Sequence, residues 1–255
     1  MARLNWTRDQ LLVAFNLYFR IPFGRMHGKN PEIIQLANYI GRTPDALAMK
    51  LCNLASLDPE EQARKIKGLK GASQLDREIW AEFHSNWEQL AFESEIAIRH
   101  FSTATPEELE RIPVKPLGAT EAIRKTRVRL VQRFFRQAVL SSYGSRCAVC
   151  LIPERRLLIA SHIIPWRDNE ERRADPSNGL SLCSLHDRAF DQGLISVDDS
   201  LRLLVSYRLK TKDAVSVQRA AFHDLEGQTL CQPLRFDPDP AALEYHRSKI
   251  FEQRT

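Results

Sequence analysis

Apolar positions in the first ninety or so residues recur at helical spacing rather than in strand-like alternation. In WTRDQLLVAFNLYF, Thr7 and Gln10 fit a capping box ahead of an apolar run. In NPEIIQLANYI, Asn30 reads as an N-cap with Pro31 at the first helical position, and Ile33, Ile34, Ala37 and Ile40 share one face. Gly41-Arg42-Thr43 interrupts the pattern. Thr43 and Pro44 then repeat the cap-plus-proline start, and Leu47, Leu51 and Leu54 form the next stripe. Two short helices about a glycine-containing turn have the outline of a helix-turn-helix, whose second helix carries Lys50 and Asn53, side chains able to reach phosphates or base edges. A helical hairpin used for packing or for a homodimer has the same outline. A third amphipathic stretch runs from roughly Leu75 to His100. The polar, three-proline segment FSTATPEELERIPVKPLGAT after it reads as a linker. The expected division is a helical module over 1–97, a linker over 98–120 and a second domain over 121–255.

That second domain opens on another helix, EAIRKTRVRLVQRFFRQAVLSSYG. Val128, Val131, Phe134 and Phe135 can pack inward while six Lys/Arg between Arg124 and Arg136 face outward. The basic face is either simply solvated or a phosphate-contacting face, with Arg124 and Arg127 as its candidates. From here the period changes. RLLIASHI is apolar and extended, with His162 near its end before Pro165; DPSNGL is turn chemistry; Cys183 to Asp191 reads as a short helix. GLISVDDSLRLLVS predicts two strands around Asp198-Asp199-Ser200, and PAALEYHRSKIFEQ a closing amphipathic helix. Tyr245, His246 and Arg247 there either edge a site or serve packing and capping. The predicted fold class is α+β: an all-helical, helix-turn-helix-like module followed by a mixed domain.

Composition narrows the class. The chain has 255 residues, 43% apolar and 27% charged, as globular proteins do. No stretch reaches the eighteen or so uncharged apolar residues of a membrane span, and MARLNWTRDQ lacks the apolar core of a secretory signal. The expected location is the cytoplasm, where cysteines are reduced thiols or metal ligands. A net charge of +5 and a pI near 9.0 are compatible with a nucleic-acid partner, as they are with many others. Cys147 and Cys150 form C-x2-C, and Cys183 with His186 forms C-x2-H; two such turns supply four ligands for a tetrahedral structural zinc. Cys52 and Cys231 have no such partner and are expected to be buried thiols. A zinc nucleobase deaminase needs H-x-E before P-C-x-x-C, and neither is present in that order.

Around these pairs, SHIIPW, NGLSLC and HDRAFDQG closely resemble the HNH endonuclease superfamily, the ββα-metal or His-Me finger nucleases, over about Arg146 to Val197. The branch resembled is that of bacterial restriction-like and defence-associated HNH proteins. The resemblance implies a zinc-stabilised ββα-metal nuclease domain acting on DNA, double-stranded, with a restriction or anti-phage role. It maps the general base onto His162 and the central asparagine, which orients the base or shapes the loop, onto Asn178. Laid on the family pattern in one register, Cys183 and His186 complete the zinc site while Asp187 and Asp191 take the two histidine positions that face the catalytic ion. Asp187 and Asp191, at i and i+4, can share one ion, and carboxylates suit Mg2+ or Mn2+. A rival register gives His186 to the catalytic ion and leaves zinc with three cysteines. One departure stands out: the family commonly has a metal-ligating Asp or His before the base, and here Ser161 stands there as a weaker ligand. The alternative function is a non-catalytic, zinc-stabilised DNA-binding protein, which has no use for His162 or the Asp187/Asp191 pair.

Overall fold

The computed structural model describes residues 5–83, 86–102 and 119–253, the side chains of 119–123 excepted. The chain divides into two units, residues 1–134 and 135–255. The observed order is helices first and then a mixed domain with small sheets, so the α+β class holds.

In the first unit the opening helix is α1 (Arg8–Arg20). Both halves of its capping box are formed: Thr7 Oγ1 accepts from the Gln10 N–H, and the Gln10 side chain accepts from the Thr7 N–H. Every residue from Leu11 to Phe19 is buried, which makes α1 the central helix of the unit. It is wrapped by α3 (Pro44–Ala55), α5 (Gln74–Phe83) and α6 (Trp87–Phe101). Phe15 meets Phe19 and Trp80 edge to face at centroid distances of 5.0 and 5.4 Å. The helical hairpin pairs α2 (Pro31–Tyr39) with α3, capped by Asn30 and Thr43 as the sequence predicts. Gly41 takes the left-handed conformation (φ +66°) that closes α2, with Arg42 N–H bonded to the Ala37 carbonyl at 2.9 Å and Gly41 N–H to that of Asn38 at 3.3 Å. Ile34 stands exposed, and Leu36 takes its place on the buried face. The stretch from Leu75 to His100 is two helices, not one, because Asn86 caps a fresh start at α6. A short helix, α4 (Pro59–Ala63), follows the cap Asp58. Of the expected linker, 98–101 finish α6, while 103–118 lie outside the described residues.

Lys50 requires a correction. It is buried, and its Nζ lies 2.8 Å from both oxygens of fully buried Asp76 and 5.1 Å from the Trp6 ring centroid. A lysine so engaged is not presented to a DNA phosphate; it ties α3 to the start of α5. Lys50→Ala is therefore expected to destabilise the unit by about 3–5 kcal/mol, because Asp76 would be left as an uncompensated buried charge. Denaturant unfolding measures this, and wild-type stability in the variant would refute the assigned role.

Helix α7 (Ala119–Ser142) contains the unit boundary, between Phe134 and Phe135. In the second unit its Phe135 and Val139 cover the first sheet, β1 (Leu158–His162) and β2 (Gly179–Cys183). These strands pair antiparallel from Leu158↔Cys183 to His162↔Gly179. A Cβ on Gly179 would lie 2.5 Å from a Val139 methyl carbon and 2.8 Å from the Phe135 ring, so only glycine permits this approach. Helix α8 (Ser184–Asp191) follows β2 without a loop, Cys183 being both last strand residue and N-cap. Then come β3 (Ile195–Val197), antiparallel to β4 (Leu203–Val205), a short helix α9 (Ser216–Ala221) and the closing α10 (Pro240–Lys249). At the end of α8 Gly193 (φ +67°) leaves no room for a Cβ, the Ile250 carbonyl oxygen lying 2.0 Å from where it would be. Among the described residues no helix is long and apolar enough to cross a membrane. Cys52 and Cys231 are half-buried rather than buried.

Candidate metal centre and active site

The four paired ligands converge. The ligand atoms of Cys147, Cys150, Cys183 and His186 all lie within 4.8 Å of one another. Cys150 Sγ is 3.8 Å from Cys183 Sγ, and His186 Nδ1 is 3.1 and 3.6 Å from the sulfurs of Cys183 and Cys147. A tetrahedral zinc with about 2.3 Å metal–sulfur bonds needs sulfur–sulfur edges of about 3.8 Å, so the donor set fits that ion in size and chemistry. The local fold explains the convergence. The C-x2-C turn is closed by Leu151 N–H to the Cys147 carbonyl and pinned to β2 by Ala148 N–H to the Ser181 carbonyl. The other pair sits where β2 becomes α8. His186 Nε2 faces the Ala221 carbonyl at 2.9 Å; a carbonyl only accepts, so Nε2 carries the hydrogen and Nδ1 offers its lone pair to the cluster. Hydrogen bonding from Cys147 pulls the Cys183 thiol down to about 3, with His186 adding to it, while Cys147 is pushed up. Burial lowers His186, but the hydrogen bonds to Cys183 and to the Ala221 carbonyl, together with the Cys183 charge, more than offset it. His186 thus faces the cysteines, which favours the register that leaves Asp187 and Asp191 for a second ion.

Across the sheet, His162, Ser161, Asp187 and Asp191 line one cavity of about 540 Å³. His162 ends β1 and is half-buried. Phe135 stacks on its ring at a centroid distance of 3.9 Å, and Trp166 meets it edge-on at 5.5 Å. Its Nε2 lies 3.0 Å from the Arg173 carbonyl, so Nε2 is the N–H and Nδ1 is left as the basic atom. Burial lowers its pKa, and the nearby Arg173 charge adds to this, so the imidazole stays neutral near pH 7. The Asn178 side chain bonds to the loop after β1 rather than to the His162 ring. Fully buried, it accepts from Ile164 N–H at 2.8 Å and donates to the carbonyls of Ile164 and Arg172, at 3.2 Å each. It laces together the loop that supplies the Arg173 carbonyl and therefore shapes the site.

Asp187 and Asp191 are both raised above the usual carboxylate range. Burial is the main cause for each; for Asp187 the Asp191 charge adds to it, and the Ser161 hydroxyl moderates it. The buried Ser161 Oγ itself lacks a well-formed hydrogen bond. Two carboxylates held above their usual range, with the Ser161 hydroxyl beside them in one cavity, suit a hard divalent cation.

The remaining candidates have other tasks. Tyr245 donates to Asp168 at 3.1 Å, and Arg247 donates to the Val197 carbonyl and to Asp199. His246 edges the cavity yet belongs to the core: it accepts from Ser196 at 2.8 Å, donates to the Phe190 carbonyl at 3.1 Å, and stacks on Phe190. Burial pushes its pKa down to about 4. The folded state thus holds this group neutral while the unfolded chain protonates it below about 6.5. Its stabilising contribution is complete above pH 6.5 and lost as the pH falls toward 4, at most about 3 kcal/mol. Chemical denaturation of wild type and His246→Gln across that window should show a shallower acid decline in the variant. Arg124 is exposed; Arg127 pairs with Glu88 at 3.0 Å and lies over Phe92; Asn53 is half-buried. Sequence reasoning missed Phe135 and Arg173 as the supports of His162. Phe135 was visible only as one more apolar position, and a backbone carbonyl leaves no residue-type signal at all.

Residues 147–198 match the model of a family described as HNH endonuclease. Among solved structures, the chain is similar to one described as "Modification dependent TagI restriction endonuclease", at 22% sequence identity and a TM-score of 0.29, covering 46% of this chain and 37% of that one. No curated protein matches.

Proposed function

We propose, on the premise that residues 147–198 match the HNH endonuclease family, that this protein is a metal-dependent endonuclease that hydrolyses phosphodiester bonds of double-stranded DNA, in a restriction or anti-phage setting. The observation that carries the reading is the pairing of a neutral His162, its Nε2 tied to the Arg173 carbonyl, with the Asp187/Asp191 pair in one cavity. His162 Nδ1 takes the proton of the attacking water. Phe135 and Trp166 hold the ring against rotation, and Asn178 holds the loop that fixes its tautomer. A Mg2+ or Mn2+ ion bound by Asp187 and Asp191, with Ser161 at its edge, would supply charge stabilisation at the phosphate and at the leaving oxygen. The Cys147, Cys150, Cys183 and His186 site takes zinc and holds α8 on the sheet. Arg124 and Asn53 are kept as candidate DNA contacts; a DNA-docking or dimerising role for the helical unit goes with the same reading.

Supercoiled plasmid incubated with the purified protein and Mg2+ or Mn2+ tests the proposal. Conversion to nicked or linear DNA, absent when the divalent salt is omitted, is the expected result. DNA binding without cleavage under every metal would instead favour a non-catalytic, zinc-stabilised DNA-binding protein.

A further inference from the structure

The base and the two carboxylates leave one requirement of the proposed chemistry without a residue: a cationic hold on the anionic phosphate. Of the described residues lining the cavity, Arg167 alone is an arginine or lysine. It lies just beyond Pro165-Trp166 on the loop that follows His162. Its side chain is 87% exposed, and its guanidinium Nε is 3.2 Å from the carboxylate of the next residue, Asp168. Exposed pairs of this kind contribute about 0–1 kcal/mol, so the guanidinium is released at little cost, and Asp168 keeps the Tyr245 hydroxyl as a partner. Two neighbouring arginines are committed elsewhere. Arg173 donates to the Trp166 carbonyl at 2.8 Å and lies over the Trp166 ring, and Arg172 pairs with Asp175 and Asp239.

We propose that Arg167 is the phosphate-gripping residue of the cavity, swinging from Asp168 to make a two-pronged contact with the non-bridging oxygens of the scissile phosphodiester. The inference rests on the nuclease reading. With a divalent ion on Asp187 and Asp191, a phosphodiester and Arg167 bring the charges of the cavity into balance. A planar guanidinium suits two oxygens of one phosphate better than an ammonium does. Because the grip forms only when Asp168 is released, Arg167 contributes to substrate binding and alignment rather than to the fold.

The experiment compares full-length wild type, Arg167→Gln and Arg167→Lys. Affinity for a short duplex is measured at several salt concentrations without added divalent metal, and plasmid nicking is measured with Mg2+. The Gln variant should melt as wild type does, and its log–log salt slope should shrink by about one, the share of one phosphate contact. Its kcat/KM should fall by about ten- to a hundredfold, the size expected for losing a charged hydrogen bond. The Lys variant should keep the slope and still lose part of kcat/KM. A Gln variant with the wild-type salt slope overturns the proposal. A wild type that never nicks removes the nuclease reading, while the slope still decides whether Arg167 grips phosphate.

Discussion

His162→Ala is expected to fold, to keep the metal content of the wild type and its DNA affinity, and to cut about a hundred- to ten-thousand-fold more slowly, which puts nicking below ready detection. The size follows from the role: general-base catalysis contributes factors of that order, and no other imidazole in the described part of the cavity is free to take over, since both nitrogens of His246 are engaged. Asp187→Ala should inactivate as well, but through weakened metal binding, so raised Mn2+ should restore part of its activity and none to His162→Ala. A histidine that only packs behaves differently. Its loss lowers the melting temperature and leaves turnover per folded molecule unchanged. Melting and specific activity on one preparation therefore separate the roles, and a folded His162→Ala protein cutting at the wild-type rate would end the assignment.

Protein purified without added metal is expected to carry about one zinc per chain, and Cys147→Ser to lose it together with the fold of the second unit. The expected effect is large because structural zinc binding in small sites is worth about 10–16 kcal/mol, comparable with the whole stability of a typical domain. Cys147 is fully buried against β2, so the serine would also place an unsatisfied hydroxyl in the core. Elemental analysis and circular dichroism of the purified protein check both claims. A zinc-free wild type of undiminished stability would refute the structural-zinc site.

The helical starts were legible because capping is local chemistry: Thr7 with Gln10, Asn30 with Pro31 and Thr43 with Pro44 each act within one turn. The strand–loop–strand–helix order and the cysteine–histidine pairs were legible for a similar reason, ligand spacing being set by tight turns. Lys50 was misread, although a signal existed: it lies on the same stripe as Leu47, Leu51 and Leu54, and a lysine there must be buried with a partner. That partner, Asp76, is 26 residues away, and no local pattern points to it. The break at Asn86 was missed because helical periodicity continues on both sides of it. The placement of His186 among the cysteines, not settled by spacing, follows from a carbonyl 35 residues further on.

Cys183 ends β2, belongs to the metal cluster and begins the helix that carries Asp187 and Asp191. The stretch from Cys183 to Asp191 therefore serves both proposed ion sites. A chelator added to silence the proposed catalytic ion would also pull on the zinc proposed to anchor the helix that carries Asp187 and Asp191. An EDTA-treated sample that fails to cut can have lost its cofactor, its scaffold or both, and readdition of Mg2+ alone would restore only the first. The informative control is a buffer from which Mg2+ is simply left out, with zinc content assayed before and after.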